Sequence, residues 1–444
     1  MNIVIGGGIA GITSALLMAK KYGKVCIIER DNDLGGLYRS TTYNDNLTFD
    51  YGTHYLQMTG NDNANKMMFR DVDEDHWHIL GNLKGGSFYA NRLNSNSPFL
   101  DARGLSANLY QKGLSELLNI TNDKNSFENA EDQLRNIYGD ALTDHLFRPI
   151  LEDKYYGASL HELLPGAQGL VGVGRILVAT PEASRELKKS SIYDQKIGFH
   201  NYKEGQNKRK NFYPKQGGIQ KWIDLLKTQL QELGVEVITG ESVEHTESKN
   251  GSISSVTLSS GREVHCDRLI WTVPVPFFFK IAGLDAPENI QAPRKLYTSL
   301  FHFAFDKPFL TDVHFLQCHA PEMKTFRVTL YSNIQEDNNG MYRITSEVIS
   351  PKHEDLDALK NKVQSELYEM GIVDPQSKVV FQKSVPLKNG FPLLTPEYLD
   401  SIDKQIQLVN NTFDNIYFFG RNSGINFRVD GILEDVHTAV EAME

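Results

Sequence analysis

The chain begins with a stretch that few folds can accommodate, IVIGGGIAGITSALLMAKKYGKVCIIERDNDLGG at Ile3–Gly36. A short apolar run is followed at once by Gly6, Gly8 and Gly11, and then by small and apolar residues. Such a run is typical of a parallel strand buried on both faces. The G-x-G-x-x-G spacing predicts a tight turn, a close approach of backbone amides to a phosphate group, and a helix packed closely on the strand. The N-terminus of that helix is expected to face an anion.

An acidic residue ends the second predicted strand, which covers Val25–Ile28. Glu29 follows Gly11 at about the 20-residue separation at which a carboxylate accepts hydrogen bonds from the ribose hydroxyls of a dinucleotide. A carboxylate in this place would repel a 2′-phosphate. The glycines, the two strands and Glu29 together predict a dinucleotide-binding site.

The length and composition are those of a globular protein with more than one domain. A chain of 444 residues exceeds the size at which single cores stop growing, so two packed domains are expected. Hydrophobic residues make up 40% and charged residues 23% of the chain, as in ordinary globular proteins. The formal net charge of −10 argues against a general nucleic-acid-binding protein, because such proteins need a basic face.

The cysteines and the apolar segments favour a cytoplasmic protein without an integral membrane segment. Cys26, Cys266 and Cys318 lie far apart and lack metal-ligand spacing, which suits a reducing compartment, and no metal site is predicted. Asn2 leads directly into a strand, with no secretory cleavage pattern after it. The apolar segment at Leu269–Leu284 is too short for a span and is interrupted by prolines, so it predicts a strand and a short helix.

A second glycine pair after the acidic residue distinguishes between dinucleotides. Gly35 and Gly36 precede LYRS, and FDYGTH follows at Phe49–His54. With these motifs the chain resembles the superfamily of flavin amine oxidases, protoporphyrinogen oxidases, phytoene desaturases and UDP-galactopyranose mutases. FAD extends beyond the pyrophosphate and requires further backbone near its ring, which a purely NAD-binding domain does not. The shared opening of the superfamily is matched here by Gly6, Gly8, Gly11, Glu29, Gly35, Gly36, Arg39, Asp50 and Gly52.

Later segments resemble the same superfamily in separated pieces. A glycine pair, an amphipathic helix pattern and two strands lie within Asn211–Glu247, and DRLIWTVPVPFF resembles the strand that closes the FAD domain. A buried strand at Ile416–Phe419 is followed by Gly420, Arg421 and a helix pattern. The resemblance implies FAD contacts at Gly6, Gly8, Gly11, Glu29, Arg30, Gly35, Gly36, Arg39, Gly52, Thr53, His54, Val243, Thr272, Gly420, Arg421, Gly431 and Ile432.

These pieces predict an α/β fold with a discontinuous Rossmann-like FAD-binding domain of the glutathione-reductase type, formed by residues 1–70, 211–285 and 405–444. Residues 71–210 and 286–404 are expected to form an α+β substrate-binding domain of mixed sheet and helices. The bound FAD is expected to be noncovalent, because covalent members of the superfamily use a cysteine near the C-terminus and none follows Cys318.

The residues expected to face the flavin leave two reactions open. UDP-galactopyranose mutases carry a histidine in the loop matched by FDYGTH and use arginines against a diphosphate; His54, Arg327 and Arg421 stand at these points. The mutases then have two tyrosines, where this chain has Ile425 and Phe427. That difference favours oxidation of a C–N or C–C bond by hydride transfer to flavin N5. The alternative is a mutase-like reaction of a nucleotide sugar with reduced FAD and no net redox change.

Aromatic residues also mark candidate walls of a pocket for a small-molecule substrate. Aromatic residues at strand spacing belong more often to a core than to a binding site. No feature of the sequence sets an oligomeric state. The candidates are Tyr51, Tyr55, Tyr331, Tyr342, Phe391 and Phe427.

Overall fold

A parallel sheet carries the glycine turn. The computed structural model describes residues 1–44, 46–120, 126–204, 209–285, 294–335, 340–388, 390–423 and 428–443. Within these ranges five strands pair in parallel, in an order that brings together three separated parts of the chain. Across the sheet the strands are Glu236–Thr239, Val25–Glu29, Asn2–Ile5, Arg268–Trp271 and Ile416–Phe418. The predicted α/β class with a Rossmann-like sheet is confirmed, whereas the numbered domain limits remain a prediction.

Side chains alternate between the two faces of this sheet, as the two-residue period of a strand requires. Val4 and Ile27 belong to a core to which four α-helices contribute, and Ile3 and Ile28 belong to a second core on the opposite face. The helices that contribute to the first core are Ile9–Tyr22, Asp62–Met68, Gln220–Glu232 and Val429–Ala442. An antiparallel sheet and two helices contribute to the second face: Val243–Lys249, Ser252–Leu258, Glu263–His265, Val275–Ala282 and Pro396–Thr412.

Besides the parallel sheet, the chain forms a larger mixed sheet. Its order is Val379–Pro386, Lys295–Phe305, Tyr342–Ser350, Arg327–Leu330, Phe315–Cys318, Gly85–Tyr89 and Arg92–Asn94, and Phe391–Pro392 also pairs with Lys295–Phe305. One face is apolar and packs on the helix Leu356–Glu369, through residues such as Phe303, Val328 and Leu367. The other face carries polar side chains, and it supplies part of the candidate site.

A helical lobe with its own core is formed by the described residues within 100–120 and 126–199. Two π-helical segments, Thr143–Phe147 and Pro149–Tyr156, run through it. Lys154 Nζ donates to the carbonyls of Cys318 at 2.8 Å and Ala320 at 2.7 Å, which fastens the lobe to the large sheet. Its other elements are Leu100–Asp101, Ala102–Gly104, Ala107–Asn119, Ala130–Tyr138, Asp140–Leu142, Ala167–Leu170, Ile176–Leu177, Pro181–Leu187 and Ser191–Asp194.

Shorter elements join these layers. A hairpin is formed by Ser40–Tyr43 and Leu47–Asp50. A three-stranded sheet has the order Leu56–Gln57, Asn211–Pro214 and Trp77–Leu80, and the helix Asp62–Met68 lies between its first two strands in the sequence. In the described ranges, no helix combines the length and apolar character needed to cross a bilayer.

Candidate functional site

The first glycine turn is closed by backbone and threonine contacts. Gly6 N donates to the carbonyl of Ile28 at 2.9 Å, and Gly6 has a φ of 99°, which favours glycine. Thr272 Oγ1 donates to the carbonyl of Ile5 at 2.8 Å and lies where a side chain at Gly6 would stand. A Cβ on Gly11 would lie 1.8 Å from the Gly6 oxygen, so the helix can approach the turn only without a side chain there.

The N-terminus of the first helix is open. Gly8 is its N-cap, no described side chain caps it, and its first turn contains no acidic residue. A Cβ placed on Gly8 would meet no atom within 4 Å, so this side of the turn borders free space. Unpaired amides and the positive end of the helix dipole favour an anion there. The arrangement fits the pyrophosphate of a dinucleotide.

The second glycine pair packs directly on the first turn. Gly35 N donates to the carbonyl of Gly7 at 2.7 Å, and a Cβ on Gly36 would lie 3.3 Å from Gly8 Cα. Both Gly35 and Gly36 have positive φ, at 116° and 56°. The two glycine segments, separated in sequence by a helix and a strand, therefore line one cleft.

Glu29 lies beside this cleft and holds the adjoining loops. Its Oε2 accepts from Gly7 N at 2.6 Å and its Oε1 accepts from Asp31 N at 2.8 Å. Its backbone carbonyl accepts from Glu241 N at 3.2 Å, which brings the beginning of the strand that starts at Val243 close to the same point. The carboxylate oxygens retain lone pairs for ribose hydroxyls.

The two predicted arginines near Glu29 have different surroundings. Arg30 is 61% exposed and comes no closer to Asp31 than 4.0 Å. Arg39 donates to Asp31 Oδ2 at 2.7 Å and to the carbonyl of Gly36 at 3.0 Å. Arg39 is thus held against the second glycine pair, whereas the Arg30 side chain extends into solvent.

The C-terminal segment reaches the same cleft. A Cβ on Gly420 would lie 2.8 Å from Ala10 Cβ, so the turn Gly420–Ser423 touches the beginning of the first helix. Asn422 Nδ2 donates to the carbonyl of Val273 at 2.9 Å and fastens this turn to the end of a central strand. The last helix begins at Val429 with no side-chain cap from the described residues, and it contains Gly431 and the buried Ile432.

The FDYGTH loop is held by the hydrogen bonds of Asp50 and by the contact of Gly52 with the large sheet. Buried Asp50 accepts from Ser40 Oγ at 2.6 Å, Tyr213 Oη at 2.7 Å and Ile219 N at 2.9 Å. Gly52 has a φ of 117°, and a Cβ there would lie 3.2 Å from Glu347 Oε2. Asp50 therefore joins separate segments beneath the loop, and Gly52 allows the loop to touch the large sheet.

Glu347 connects this loop to Arg327. Arg327 donates from Nε to Glu347 Oε1 at 2.9 Å and from Nη2 to Glu347 Oε2 at 3.0 Å, and Thr53 N donates to Oε1 at 2.8 Å. The hydroxyls of Thr53 and Thr329 also hydrogen-bond to each other. Burial alone raises the pKa of the Glu347 carboxyl, but Arg327 and Thr53 outweigh it, so the pKa lies below its usual value. Glu347 is therefore an anion that Arg327 neutralises.

His54 is a neutral side chain in this environment. Its Nδ1 is buried and has no hydrogen-bond partner in the part of the chain that the structure describes, and its ring centre lies 4.7 Å from that of Tyr38. Burial lowers the pKa of His54 to about 4, and the nearby Arg327 and Arg421 act in the same direction. Near neutral pH the imidazole can hydrogen-bond but carries no charge.

Arg421 lies against aromatic side chains. Its guanidinium carbon is 5.0 Å from the ring centre of Phe391, and Tyr398 and Tyr38 lie close enough to act on its charge. Burial lowers the pKa of Arg421, and across the described ranges no carboxylate pairs with it. Arg421 and Arg327 both act on the pKa values of His54 and Tyr38, and only Arg327 has a carboxylate partner among the described residues.

The predicted aromatic walls divide between the site and the core. Phe391 contacts Arg421, and Tyr51 lies under Arg39 with 5.5 Å between the guanidinium carbon and the ring centre. Tyr55 donates to the carbonyl of His314 at 2.9 Å, and fully buried Tyr331 donates to Thr345 Oγ1 at 2.9 Å. Tyr342 packs on Phe309. Phe427 and Ile425 lie outside the described residues.

Sequence reasoning did not identify Glu347, Tyr38 or Gln317 as site residues. Glu347 could have been noticed as a carboxylate within the otherwise uncharged strand segment ITSEVIS, where burial requires a cationic partner. Gln317 is opposite Arg327 in the strand register, is 8% exposed, and its buried Oε1 has no partner among the described residues. Tyr38 has no distinguishing signal in the sequence.

Comparison with known protein families supports the assignment of the N-terminal region. Residues 4–72 match the family model described as an NAD(P)-binding Rossmann-like domain. Over 56 residues the chain is 41% identical to the "Uncharacterized protein in nifH2 3'region" of Methanothermococcus thermolithotrophicus. That match covers 13% of this chain and 53% of the relative, so it spans about half the length of the curated protein it matches.

Solved structures match nearly the whole chain at low sequence identity. A reduced UDP-galactopyranose mutase has a TM-score of 0.77 at 16% identity, covering 99% of this chain and 92% of that one. An oxidoreductase from Methanosarcina mazei has a TM-score of 0.64 at 14% identity, covering 99% of both chains. Putrescine oxidase bound to putrescine has a TM-score of 0.62 at 13% identity, covering 99% of this chain and 97% of that one. At these identities the match establishes the fold.

Proposed function

The chain has the fold of the superfamily that includes flavin amine oxidases and UDP-galactopyranose mutases, and on this fold we propose that it is an FAD-dependent oxidoreductase. It oxidises a C–N or C–C bond of a small organic substrate. The FAD is bound noncovalently in the cleft between the two glycine segments and the last helix. All three cysteines are free and buried, in keeping with work in the reducing cytoplasm.

Named groups of this chain would hold the cofactor. The open N-terminus of the first helix would receive the pyrophosphate, Glu29 would receive the ribose hydroxyls, and the amides at the beginning of the last helix would receive the flavin edge. Bound FAD would supply the redox chemistry by accepting a hydride from the substrate. The Thr53 and His54 loop and the polar face of the large sheet hold the substrate and exclude water.

The pairing of Arg327 with Glu347 is the observation that favours oxidation. A diphosphate carries at least two negative charges, and a buried diphosphate needs matching cations. Both donors of one edge of the Arg327 guanidinium are occupied by Glu347, so Arg421 is the guanidinium without a carboxylate partner in the described part of the site. Such a charge balance fits a substrate of low charge better than a nucleotide sugar.

His54 contributes by hydrogen bonding. With a pKa of about 4 it is uncharged near neutral pH, so it is a weak base and does not supply an imidazolium. Its Nδ1 is buried and has no hydrogen-bond partner among the described residues, so a polar group of the substrate or of the flavin would satisfy it. Which ring nitrogen carries the hydrogen decides whether it donates or accepts.

A mutase-like reaction of a nucleotide sugar is the second candidate. Arg327 and Arg421 both lie close enough to His54 and Tyr38 to act on the pKa values of these two side chains, so both positive charges are felt in one region. The similarity to a UDP-galactopyranose mutase, with a TM-score of 0.77, exceeds that to putrescine oxidase at 0.62.

The experiment that separates the two reactions is anaerobic flavin spectroscopy. Oxidised protein is mixed with amines, with porphyrinogens and with UDP-galactopyranose, and the flavin absorbance is followed before and after air is admitted. Net oxidation requires bleaching by an amine or another reduced organic compound and recovery in air. Isomerisation of the nucleotide sugar by dithionite-reduced protein, without bleaching by any compound of the panel, would overturn the proposal.

A further inference from the structure

Of the two guanidiniums in the candidate site, Arg327 has a carboxylate partner and Arg421 has none among the described residues. This difference determines the net charge of the site. Arg327 is joined to Glu347 by two parallel hydrogen bonds, at 2.9 and 3.0 Å. This fork geometry is among the strongest polar contacts in proteins. The Glu347 side chain is 7% exposed and that of Arg327 is 27% exposed, so the charge of the Glu347 carboxylate is balanced mainly by Arg327 and not by solvent.

Contacts with the FDYGTH loop hold the Glu347 carboxylate in place beside Arg327. Its Oε1 also accepts from Thr53 N at 2.8 Å, and the Gly52 backbone packs on its Oε2. The carboxylate cannot turn away from Arg327 without breaking the bond to the FDYGTH loop. Arg327 and Glu347 therefore act as one neutral unit on the sheet.

Gln317, the neighbour of Arg327 on the same face of the large sheet, adds no charge. Gln317 pairs with Arg327 in the antiparallel register, and Arg327 pairs with Glu347, so the three side chains lie side by side on one face. Gln317 is a neutral amide. These three side chains together therefore carry a net charge near zero.

Arg421 supplies the remaining charge. It lies on the Phe391 ring, next to Tyr398 and Tyr38, and no carboxylate pairs with it in the described ranges. The nearby carboxylate of Asp430 is already paired with Arg428 at 3.2 Å and with Arg209 at 3.5 Å, and Arg428 is 77% exposed at the surface. A half-buried guanidinium over an aromatic ring, without a counter-ion, is suited to one carboxylate.

We propose that the substrate of this site is a monoanion whose carboxylate pairs with Arg421, and that Glu347 excludes diphosphates by neutralising Arg327. The proposal rests on the proposed function only in taking this cleft as the substrate site. It names the substrate class, an organic carboxylate, and assigns Glu347 as the residue that determines charge specificity.

Calorimetric titration of the FAD-loaded protein tests this without turnover. The ligands are acetate, benzoate and indole-3-acetate as monoanions of increasing size, and UDP as the diphosphate, all at one ionic strength. At least one carboxylate is expected to bind about tenfold more tightly than UDP. Arg421→Met should weaken that carboxylate about tenfold or more, because a charge-assisted pair is lost. Arg262→Met, a change at an exposed ion pair with Glu236, is the control and should leave binding unchanged.

A second set of variants tests whether Glu347 determines which anion binds. Glu347→Gln leaves Arg327 without its counter-ion, so UDP should bind about tenfold more tightly while carboxylate binding changes less than about threefold. Arg327→Met combined with Glu347→Met removes both charges together and should retain the wild-type preference, even where the single variant folds poorly. Melting temperature and flavin content are measured for each variant.

The outcomes separate this inference from the proposed oxidation. The inference is overturned if no carboxylate binds, if UDP binds more tightly than every carboxylate, or if Glu347→Gln folds and leaves UDP affinity unchanged. If carboxylates bind through Arg421 but no compound bleaches the flavin, the proposed oxidation fails and the inference stands. If substrates bleach the flavin equally well in Arg421→Met, the oxidation stands and the inference fails.

Discussion

Gly11 packs against the carbonyl oxygen of Gly6 with no room for a methyl group between them. Gly11→Ala should therefore push the first helix away from the parallel sheet, at a cost of about 1–3 kcal/mol in the free energy of unfolding. The same displacement moves the helix N-terminus from the cleft, so flavin retention should fall. Chemical denaturation and the flavin absorbance of the purified variant measure the two effects.

Gly81→Ala is the matched control for that substitution. A Cβ there meets no atom within 4 Å, and Gly81 does not have positive φ. Stability and flavin content should stay at wild-type values. Equal behaviour of the two variants would mean that the helix does not depend on close contact at Gly11.

Glu29→Lys should abolish FAD retention. The carboxylate accepts from Gly7 N and Asp31 N, and the proposed ribose hydroxyls would add two further hydrogen bonds. A lysine cannot accept any of them, and losing two charge-assisted hydrogen bonds costs on the order of 3–6 kcal/mol. Glu29→Gln keeps one acceptor oxygen and should retain part of the flavin. Wild-type flavin occupancy in the lysine variant would show that the dinucleotide site has been assigned wrongly.

The purified protein should be yellow, and acid or heat should release its FAD into the supernatant. Cys318, the last cysteine in the chain, is fully buried and contacts Lys154 and Met323 on the large sheet. It is therefore not available to form a bond to the flavin. Absorbance of the supernatant after precipitation measures the release. Flavin fluorescence that remains with the denatured chain in a gel would contradict noncovalent binding, and a colourless protein that refuses added FAD would contradict the cofactor itself.

Short-range features could be predicted from the sequence, and side-chain pairings between distant segments could not. The strand, the glycine turn and the first helix follow from local spacing, because Gly6 is favoured by its positive φ and Gly11 is required by its contact with the Gly6 oxygen, both within that unit. The helix Gln220–Glu232 and its stop at Gly234, with φ 69°, follow from the same kind of local signal. The family resemblance implied a flavin contact at the Gly35 and Gly36 pair, but the hydrogen bond between Gly35 and Gly7 is tertiary and could not be predicted.

In the candidate site, the pairing between Arg327 and Glu347 could not be predicted from the sequence. Arg327 could be proposed from its strand motif. Whether its charge is neutralised depends on Glu347, which lies opposite Arg327 on the neighbouring strand. No spacing rule specifies that register before the sheet is known. Asp50 was singled out as a motif residue, yet its partners come from the hairpin and from Asn211–Ile219, so its structural role also needed the fold.

His54 should make the protein sensitive to mild acid. Its folded-state pKa of about 4 lies below the ordinary value of 6.5, so between these values the unfolded chain binds a proton that the folded protein does not. Stability therefore falls as the pH decreases from about 6.5 to about 4, by up to about 3 kcal/mol from this residue. His302, His314 and His319 are buried with lowered pKa values and act in the same direction. His54→Gln removes one titrating group while keeping a polar side chain, so its melting temperature should decline less steeply than that of the wild type over this range. Thermal unfolding at half-unit pH steps measures both slopes, and parallel curves would show that His54 is accessible enough to be protonated in the folded protein.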